Sequence, residues 1–138
     1  MTLLDAYALI AFLTGGAAAS QVRGLLREGD AALATVNLAE TLDVSERVHG
    51  LSIARAREVI DSLLGEALVT VPLDADTALR AATLRARHYH RTRCSISLGD
   101  SVLLASARSG DRVATADSDV LAVAGEERIE SVRLPREA

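Results

Sequence analysis

Four acidic residues lie at the junctions between apolar segments of the chain. They are Asp5, Glu40, Asp100 and Asp117. A carboxylate beside a hydrophobic core is costly unless it is paired, caps a helix or binds a metal ion. If the fold brings these four side chains together, they form an acidic pocket suited to a divalent cation.

Taken singly, each acid also has an ordinary structural explanation. Two of them have the spacing of a capping box, in which the acid returns a hydrogen bond to the cap residue. These pairs are Asn37 with Glu40 and Ser97 with Asp100. Asp5, and either Asp117 or Asp119, could be the N-cap of the helix that follows or a turn residue. For each acid alone, capping or turn formation is the favoured interpretation, and only convergence would indicate a shared site.

The elements that must position these residues alternate between short apolar runs and helical stretches. Apolar runs predict strands at residues 2–4, 31–36, 68–71, 112–115 and 129–134. Helices are predicted at residues 6–12, 17–27, 38–48, 52–64, 74–91, 98–107 and 120–124. This order predicts an α/β fold with a small, mainly parallel sheet of four to five strands, covered by helices on both faces.

The predicted topology places the four acids at one edge of the sheet. Asp5 and Asp117 directly follow predicted strands, and Glu40 and Asp100 fall in the first turns of predicted helices. In a parallel sheet, strand carboxyl ends and the starts of the following helices share the edge at which ligands bind. Mutual repulsion would raise the pKa values of four converging carboxylates, and a metal ion would relieve it. Oxygen ligands favour Mg²⁺ or Mn²⁺, and neither Cys94 nor the histidines have zinc-ligand spacing.

Composition narrows the possible classes of protein. The chain has 138 residues, 49% of them hydrophobic and 25% charged, which predicts one globular domain over residues 1–138. All 15 basic Lys+Arg residues are Arg, so phosphoacceptor receiver domains and haloacid-dehalogenase phosphatases, whose chemistry needs lysine, are disfavoured. The net charge of −4 argues against nucleic-acid binding by charge alone. With no basic leader and no apolar run of membrane-spanning length, we expect a cytoplasmic protein that does not contact a membrane.

The segments around the four acids resemble the PIN-domain family of metal-dependent ribonucleases, in particular the VapC-like toxins of toxin–antitoxin pairs. LLDAYALIAFL is similar to the opening strand and helix with the first Asp, and TVNLAETL to the segment that carries the Glu. VPLDADTALRAATLRARH resembles the long helix of the family. SLGDSVLLASARSGDRVATADSDV resembles the third acid followed by the fourth in a Thr-x-Asp context. The resemblance therefore covers nearly the whole chain.

This resemblance implies a three-layer α/β/α fold and a metal-dependent endoribonuclease. The implied site residues are Asp5, Glu40, Asp100 and Asp117 as metal-binding acids, Asp119 as a possible further ligand, and Thr115 as a small hydroxyl nearby. The implied cofactor is Mg²⁺ or Mn²⁺, and the implied substrate is single-stranded RNA or an RNA loop. The implied protein partners are a second copy of the chain and a small antitoxin that covers the site. Gly99 and Ser101 depart from the family, which often has Ala or Leu and Arg there.

Three further questions of interpretation stay open. A non-catalytic PIN-like module that binds protein or RNA would have the same fold, although it would have no need to keep the acids. The basic segment at residues 85–93 could contact RNA, but a solvated helix end is favoured because a basic stretch alone is a weak signal. Leu25, Leu26, Val48 and Leu51 could form partner surfaces, but core positions are favoured.

Overall fold

Each strand except the last is followed along the chain by a helix, and this alternation determines the architecture. The computed structural model describes residues 1–138. The strands are β1 Thr2–Leu4, β2 Ala31–Ala34, β3 Leu68–Val71, β4 Arg112–Thr115 and β5 Glu130–Arg133. The helices are α1 Ala6–Thr14, α2 Ala19–Arg27, α3 Thr35–Arg47, α4 Ile53–Leu63, α5 Ala75–His88, α6 Leu98–Ser106 and α7 Ser118–Glu126.

The five strands form one parallel sheet in the order β3-β2-β1-β4-β5. β1 is central, and its Leu3 pairs with Ala32 on one side and Val113 on the other. Since β2 and β4 lie on opposite sides of β1, the chain changes direction across the sheet at β1, which is where ligands bind in such folds. The predicted α/β class, its five strands and its three-layer α/β/α arrangement are confirmed.

Two cores lie on the two faces of the sheet, because successive strand residues point to opposite sides. Leu4 packs with residues of α1 and α2, including Leu9 and Val22. Leu3 packs with residues of α6 and α7, including Leu103. Both cores are aliphatic and rich in alanine, as expected of a chain with 2% aromatic residues.

The junction between β2 and α3 differs from the prediction. β2 ends at Ala34, which pairs with Val71, and the helix begins at Thr35 rather than at residue 38. Because β-branched residues favour strands, the sequence predicted that the strand continues through Thr35 and Val36. The neighbouring strand β3 ends at Val71, so these two residues have no strand to pair with. The predicted capping box at Asn37 was wrong, since the N-cap is Ala34 and has no side-chain hydrogen bond.

The apolar positions considered as partner surfaces divide between core and surface. Leu25 and Leu26 are buried in the core, as favoured, whereas Val48 is 60% exposed and Leu51 is half-buried. No single helix has both the length and the apolar character needed to cross a membrane. α1 and α2 meet those criteria only when taken together, and the chain bends by 106° between them.

Candidate metal-binding site

The four predicted acids line one cavity of about 410 Å³ at the carboxyl edge of the sheet. The other lining residues are Ala6, Tyr7, Asn37, Ala116 and Arg136. A larger cavity of about 630 Å³, bordered by residues of α5 and α6, contains none of the four acids. The structure therefore brings Asp5, Glu40, Asp100 and Asp117 together at the edge where the topology predicted them.

Asp5 and Asp117 are neighbours because they follow neighbouring parallel strands. Asp5 comes directly after β1 and caps α1, with its Oδ1 accepting a hydrogen bond of 2.8 Å from the Ala8 amide. Asp117 caps α7, and its Oδ1 accepts hydrogen bonds from the amides of Asp119 (2.8 Å) and Val120 (3.2 Å). The capping predicted for both acids is confirmed, and the same residues also line the cavity.

Asp100 is oriented by the start of α6. Its Oδ2 accepts a hydrogen bond of 2.9 Å from the Ser97 amide, while its own amide donates to Ser97 Oγ (3.0 Å). The predicted capping box is therefore present. It fixes the carboxylate at the first turn of the helix and leaves Oδ1 without a hydrogen bond within the protein.

Glu40 lies in the second turn of α3, one turn further along the helix than predicted. Asn37 Nδ2 donates to Glu40 Oε1 at 2.8 Å and also lies 3.4 Å from the Gly99 carbonyl oxygen. The carboxylate rests against Gly99, where an added Cβ would come within 2.5 Å of Glu40 Oε1. A larger residue at position 99 would therefore displace the Glu40 carboxylate from this position.

Thr115 lies close to both Asp117 and Asp5. It is the last residue of β4 and is fully buried, and its hydroxyl oxygen accepts a hydrogen bond of 3.1 Å from the Asp117 amide. Burial raises the pKa of Asp5, and the nearby Thr115 hydroxyl opposes part of that rise because it favours the ionised carboxylate. Thr115 is therefore close to the site but does not line the cavity.

Asp119 does not line the cavity of the four acids. Its Oδ2 accepts a hydrogen bond of 3.3 Å from the Ser95 amide, and it lines a neighbouring cavity of about 420 Å³ with His90 and Cys94. Its charge nevertheless contributes to raising the pKa of Asp100. The ligand role predicted for Asp119 stays a prediction.

The cavity contains four carboxylates and one cationic side chain, Arg136, so it is negative overall. The pKa of Asp5 is raised to about 6, chiefly by burial and in part by the charges of Asp100 and Asp117, against the opposing interactions with Thr115 and the Ala8 amide. Burial is also the main cause that raises the pKa of Asp100. None of the ion pairs in the protein involves any of the four carboxylates.

The donor set fits a hard divalent cation, although the ligands are not gathered around one point. No three His, Cys, Asp or Glu side chains are close enough to ligate a single ion as they lie. Glu40, Asp100 and Asp117 each keep one oxygen free of hydrogen bonds, and the buried Asn37 Oδ1 has no partner. Because Mg²⁺ usually keeps several waters, carboxylates at this spacing can hold it partly through water.

Two polar residues that line the cavity, Asn37 and Arg136, were not predicted as site residues. Asn37 was interpreted only as a helix cap, and Arg136 belongs to no motif and reaches the cavity because β5 ends at the same edge of the sheet. The basic segment at residues 85–93 is instead largely occupied by contacts within the protein. Arg85 donates to the Ile96 carbonyl, and Arg87 and His88 contact Glu127.

The family model of the PIN domain matches residues 2–126. No curated protein matches the chain.

Several solved structures share the fold. A toxin–antitoxin complex from Klebsiella pneumoniae is 18% identical, with 100% of each chain covered and a TM-score of 0.69. The sarcin–ricin loop cleaving toxin VapC20 of Mycobacterium tuberculosis is 19% identical, with 88% of this chain and 94% of that chain covered and a TM-score of 0.71. DNA-bound VapBC from Salmonella typhimurium is 17% identical, with 96% of each chain covered and a TM-score of 0.68. At such low identity the likeness shows a common fold.

Proposed function

The chain belongs to the PIN-domain family, and from this premise we propose that it is a metal-dependent endoribonuclease that hydrolyses phosphodiester bonds in RNA. One observation carries the proposal. Carboxylates from four separate elements line one cavity, and no cationic side chain forms an ion pair with any of them. Only Asp5 is buried, while Glu40 and Asp100 are half-buried and Asp117 is exposed. Four carboxylates that share a cavity without ion pairs repel one another, which indicates that a cation and an anionic substrate complete the site.

In this proposal the four acids hold Mg²⁺ or Mn²⁺. When bound, the ion lowers the pKa of a water and balances negative charge at the phosphate. Three of the acids would each offer one oxygen to the ion: Glu40, Asp100 and Asp117. The other oxygen of each accepts a hydrogen bond from its own helix or helix start. Asp5 is the most buried of the four acids, and the hydrogen bond from the Ala8 amide orients its carboxylate.

We further propose that the protein is the toxin of a toxin–antitoxin pair. Its fold is shared with structures described as toxin–antitoxin complexes and with a toxin described as cleaving the sarcin–ricin loop. The proposal includes an antitoxin protein partner, a homodimer and a cytoplasmic location. Exposed apolar side chains on and after α3 and on α4, Val48, Ile53 and Val59, offer surface for a protein partner.

The deciding experiment is incubation of the purified chain with a panel of RNAs, with and without a chelator. We expect cleavage with Mg²⁺ or Mn²⁺, and none with EDTA. Asp100→Asn should lower the rate by about 100-fold or more, because it removes ligand charge at the site. The fold should be retained, because an Asn side-chain oxygen can still accept the hydrogen bond from the Ser97 amide.

Asp43→Asn is the matched control, since Asp43 is an exposed acid on α3 that pairs with Arg47 outside the cavity. This variant should cleave like the wild-type chain. Undiminished cleavage by Asp100→Asn would refute the assigned site. RNA binding without cleavage by the wild-type chain would instead support the non-catalytic module.

A further inference from the structure

The C-terminal segment brings one cationic side chain to the acidic cavity. Arg136 lines the cavity together with the four carboxylates. Its Nε donates to the Ala116 carbonyl oxygen at 3.0 Å, and its Nη2 donates to Ser118 Oγ at 3.2 Å. These two contacts fix the guanidinium beside the first turn of α7, next to the cap residue Asp117.

Residues on both sides of Arg136 anchor the segment to the fold. The buried Leu134 donates its amide to the Thr115 carbonyl (2.9 Å), and the Tyr7 hydroxyl donates to the Pro135 carbonyl (2.6 Å). Glu137 Oε1 accepts a hydrogen bond of 2.8 Å from the Ala17 amide. Arg136 is thus held between two fixed points, which reduces the entropy that its side chain would lose on binding a ligand.

The guanidinium remains available to an anion. Arginine has five N–H donors in a planar fork, and the contacts of Arg136 within the protein use two of them. Both acceptors are neutral, and Arg136 forms no ion pair with the acids beside it. A cation that stays unpaired beside four carboxylates suits a ligand that brings its own negative charge, and Arg is the side chain best matched to phosphate.

We propose that Arg136 binds a backbone phosphate of the RNA and positions the strand across the acidic cavity. The inference rests on the proposed ribonuclease function. The acids and their metal ion would act on the bond to be cut, and Arg136 would offset the repulsion that the acidic rim exerts on the approaching phosphate.

The test compares cleavage kinetics of Arg136→Gln with those of Arg133→Gln, using a single-stranded RNA that the wild-type chain cuts. Gln at position 136 can still donate to the Ala116 carbonyl but carries no charge. We expect KM to rise by about 10-fold or more, since charge-assisted bonds to phosphate are lost. The slope of log(1/KM) against log[salt] should shrink by about 0.7, the value for one phosphate contact on a single strand.

Arg133 is the matched control because it is an exposed arginine of β5 outside the cavity, so its variant has the same net charge. Arg133→Gln should leave KM and the salt slope unchanged. Arg136→Lys keeps the charge without the fork, and it should recover part of the loss in KM at an unchanged salt slope. A loss of structure alone would lower the melting temperature and the active fraction without changing that slope.

Equal KM values and salt slopes for Arg136→Gln and Arg133→Gln would overturn the inference while leaving the nuclease assignment intact. Faster cleavage by Arg136→Gln would also overturn it, since that would make the residue a blocker of the site. Absence of cleavage by the wild-type chain would refute the proposed function itself, and the role of Arg136 with it.

Discussion

At the scale of single residues, helix capping and metal binding are compatible roles for the same carboxylate. Oδ1 of Asp117 and Oδ2 of Asp100 each accept hydrogen bonds from the backbone of a helix start, and the second oxygen of each is free. Glu40 follows the same division with Asn37 as its donor. The capping bond fixes the direction of the free oxygen, so capping prepares these residues for a ligand.

The buried carboxylate of Asp5 should make the metal-free protein less stable as pH rises. Its pKa is raised from 3.8 to about 6, so the folded state holds this proton more tightly than the unfolded state does. Stability should therefore fall between about pH 4 and pH 6 and stay low above that range. Asp5→Asn should raise the free energy of unfolding at pH 7 by up to about 3 kcal/mol while abolishing cleavage.

Urea denaturation in EDTA at pH 7 and at pH 4 checks this expectation. The gain from Asp5→Asn should be present at pH 7 and nearly absent at pH 4, where the wild-type Asp5 is protonated in the fold. The asparagine oxygen can still cap α1 through the Ala8 amide, so loss of the cap should not mask the effect. A lower stability of the variant at pH 7 would contradict the account of Asp5.

At the scale of elements, the sequence was sufficient to predict the structure wherever a local pattern determines it. The strand ends that carry Asp5 and Asp117, and the capping box of Asp100, all follow from apolar runs and cap spacing. The start of α3 was misplaced because β propensity at Thr35 does not report where the partner strand ends. The contact of α3 with Gly99 joins residues 62 positions apart, and no local pattern encodes it.

The packing of α3 against α6 at Gly99 should be essential for the position of Glu40. In Gly99→Ala the new Cβ would lie 2.5 Å from Glu40 Oε1, so the carboxylate or the helix must shift. We expect cleavage to fall by about 100-fold, as a misplacement of about 1 Å can produce. The measurement is the rate of RNA cleavage, together with the melting temperature of the variant.

Gly24→Ala provides the control for this substitution. Gly24 is also helical, and no atom would lie within 4 Å of an added Cβ. Because alanine favours the helix by about 0.5–1 kcal/mol, the control should be equally active and slightly more stable. Full activity of Gly99→Ala would show that Glu40 has more room than this contact allows.

At the scale of the whole molecule, the topology gathers four carboxylates and one cationic side chain, Arg136, at one edge of the sheet. The central position of β1 brings Asp5 beside Asp117 of the adjacent strand end, while α3 and α6 add Glu40 and Asp100. The nine ion pairs of the protein all lie elsewhere. A bound cation would therefore relieve repulsion that the folded state carries and the unfolded chain does not.

Divalent metal should stabilise the folded protein for this reason. A ligand that binds only the folded state contributes about 2.7 kcal/mol at 100 times its Kd, so millimolar Mg²⁺ or Mn²⁺ should raise the melting temperature by several degrees.

The melting temperature with divalent metal is compared with that in NaCl at equal ionic strength, which separates metal binding from charge screening. Asp117→Asn should remove the shift, because it deletes a free carboxylate oxygen of the cavity. Asp119→Asn tests whether Asp119 is a fifth metal ligand. We expect the metal-induced rise in melting temperature to persist in this variant, since the Asp119 carboxylate accepts a hydrogen bond from the Ser95 amide and lines a different cavity. An unchanged melting temperature in the wild-type protein, or an equal shift in Asp117→Asn, would refute a metal site formed by these acids.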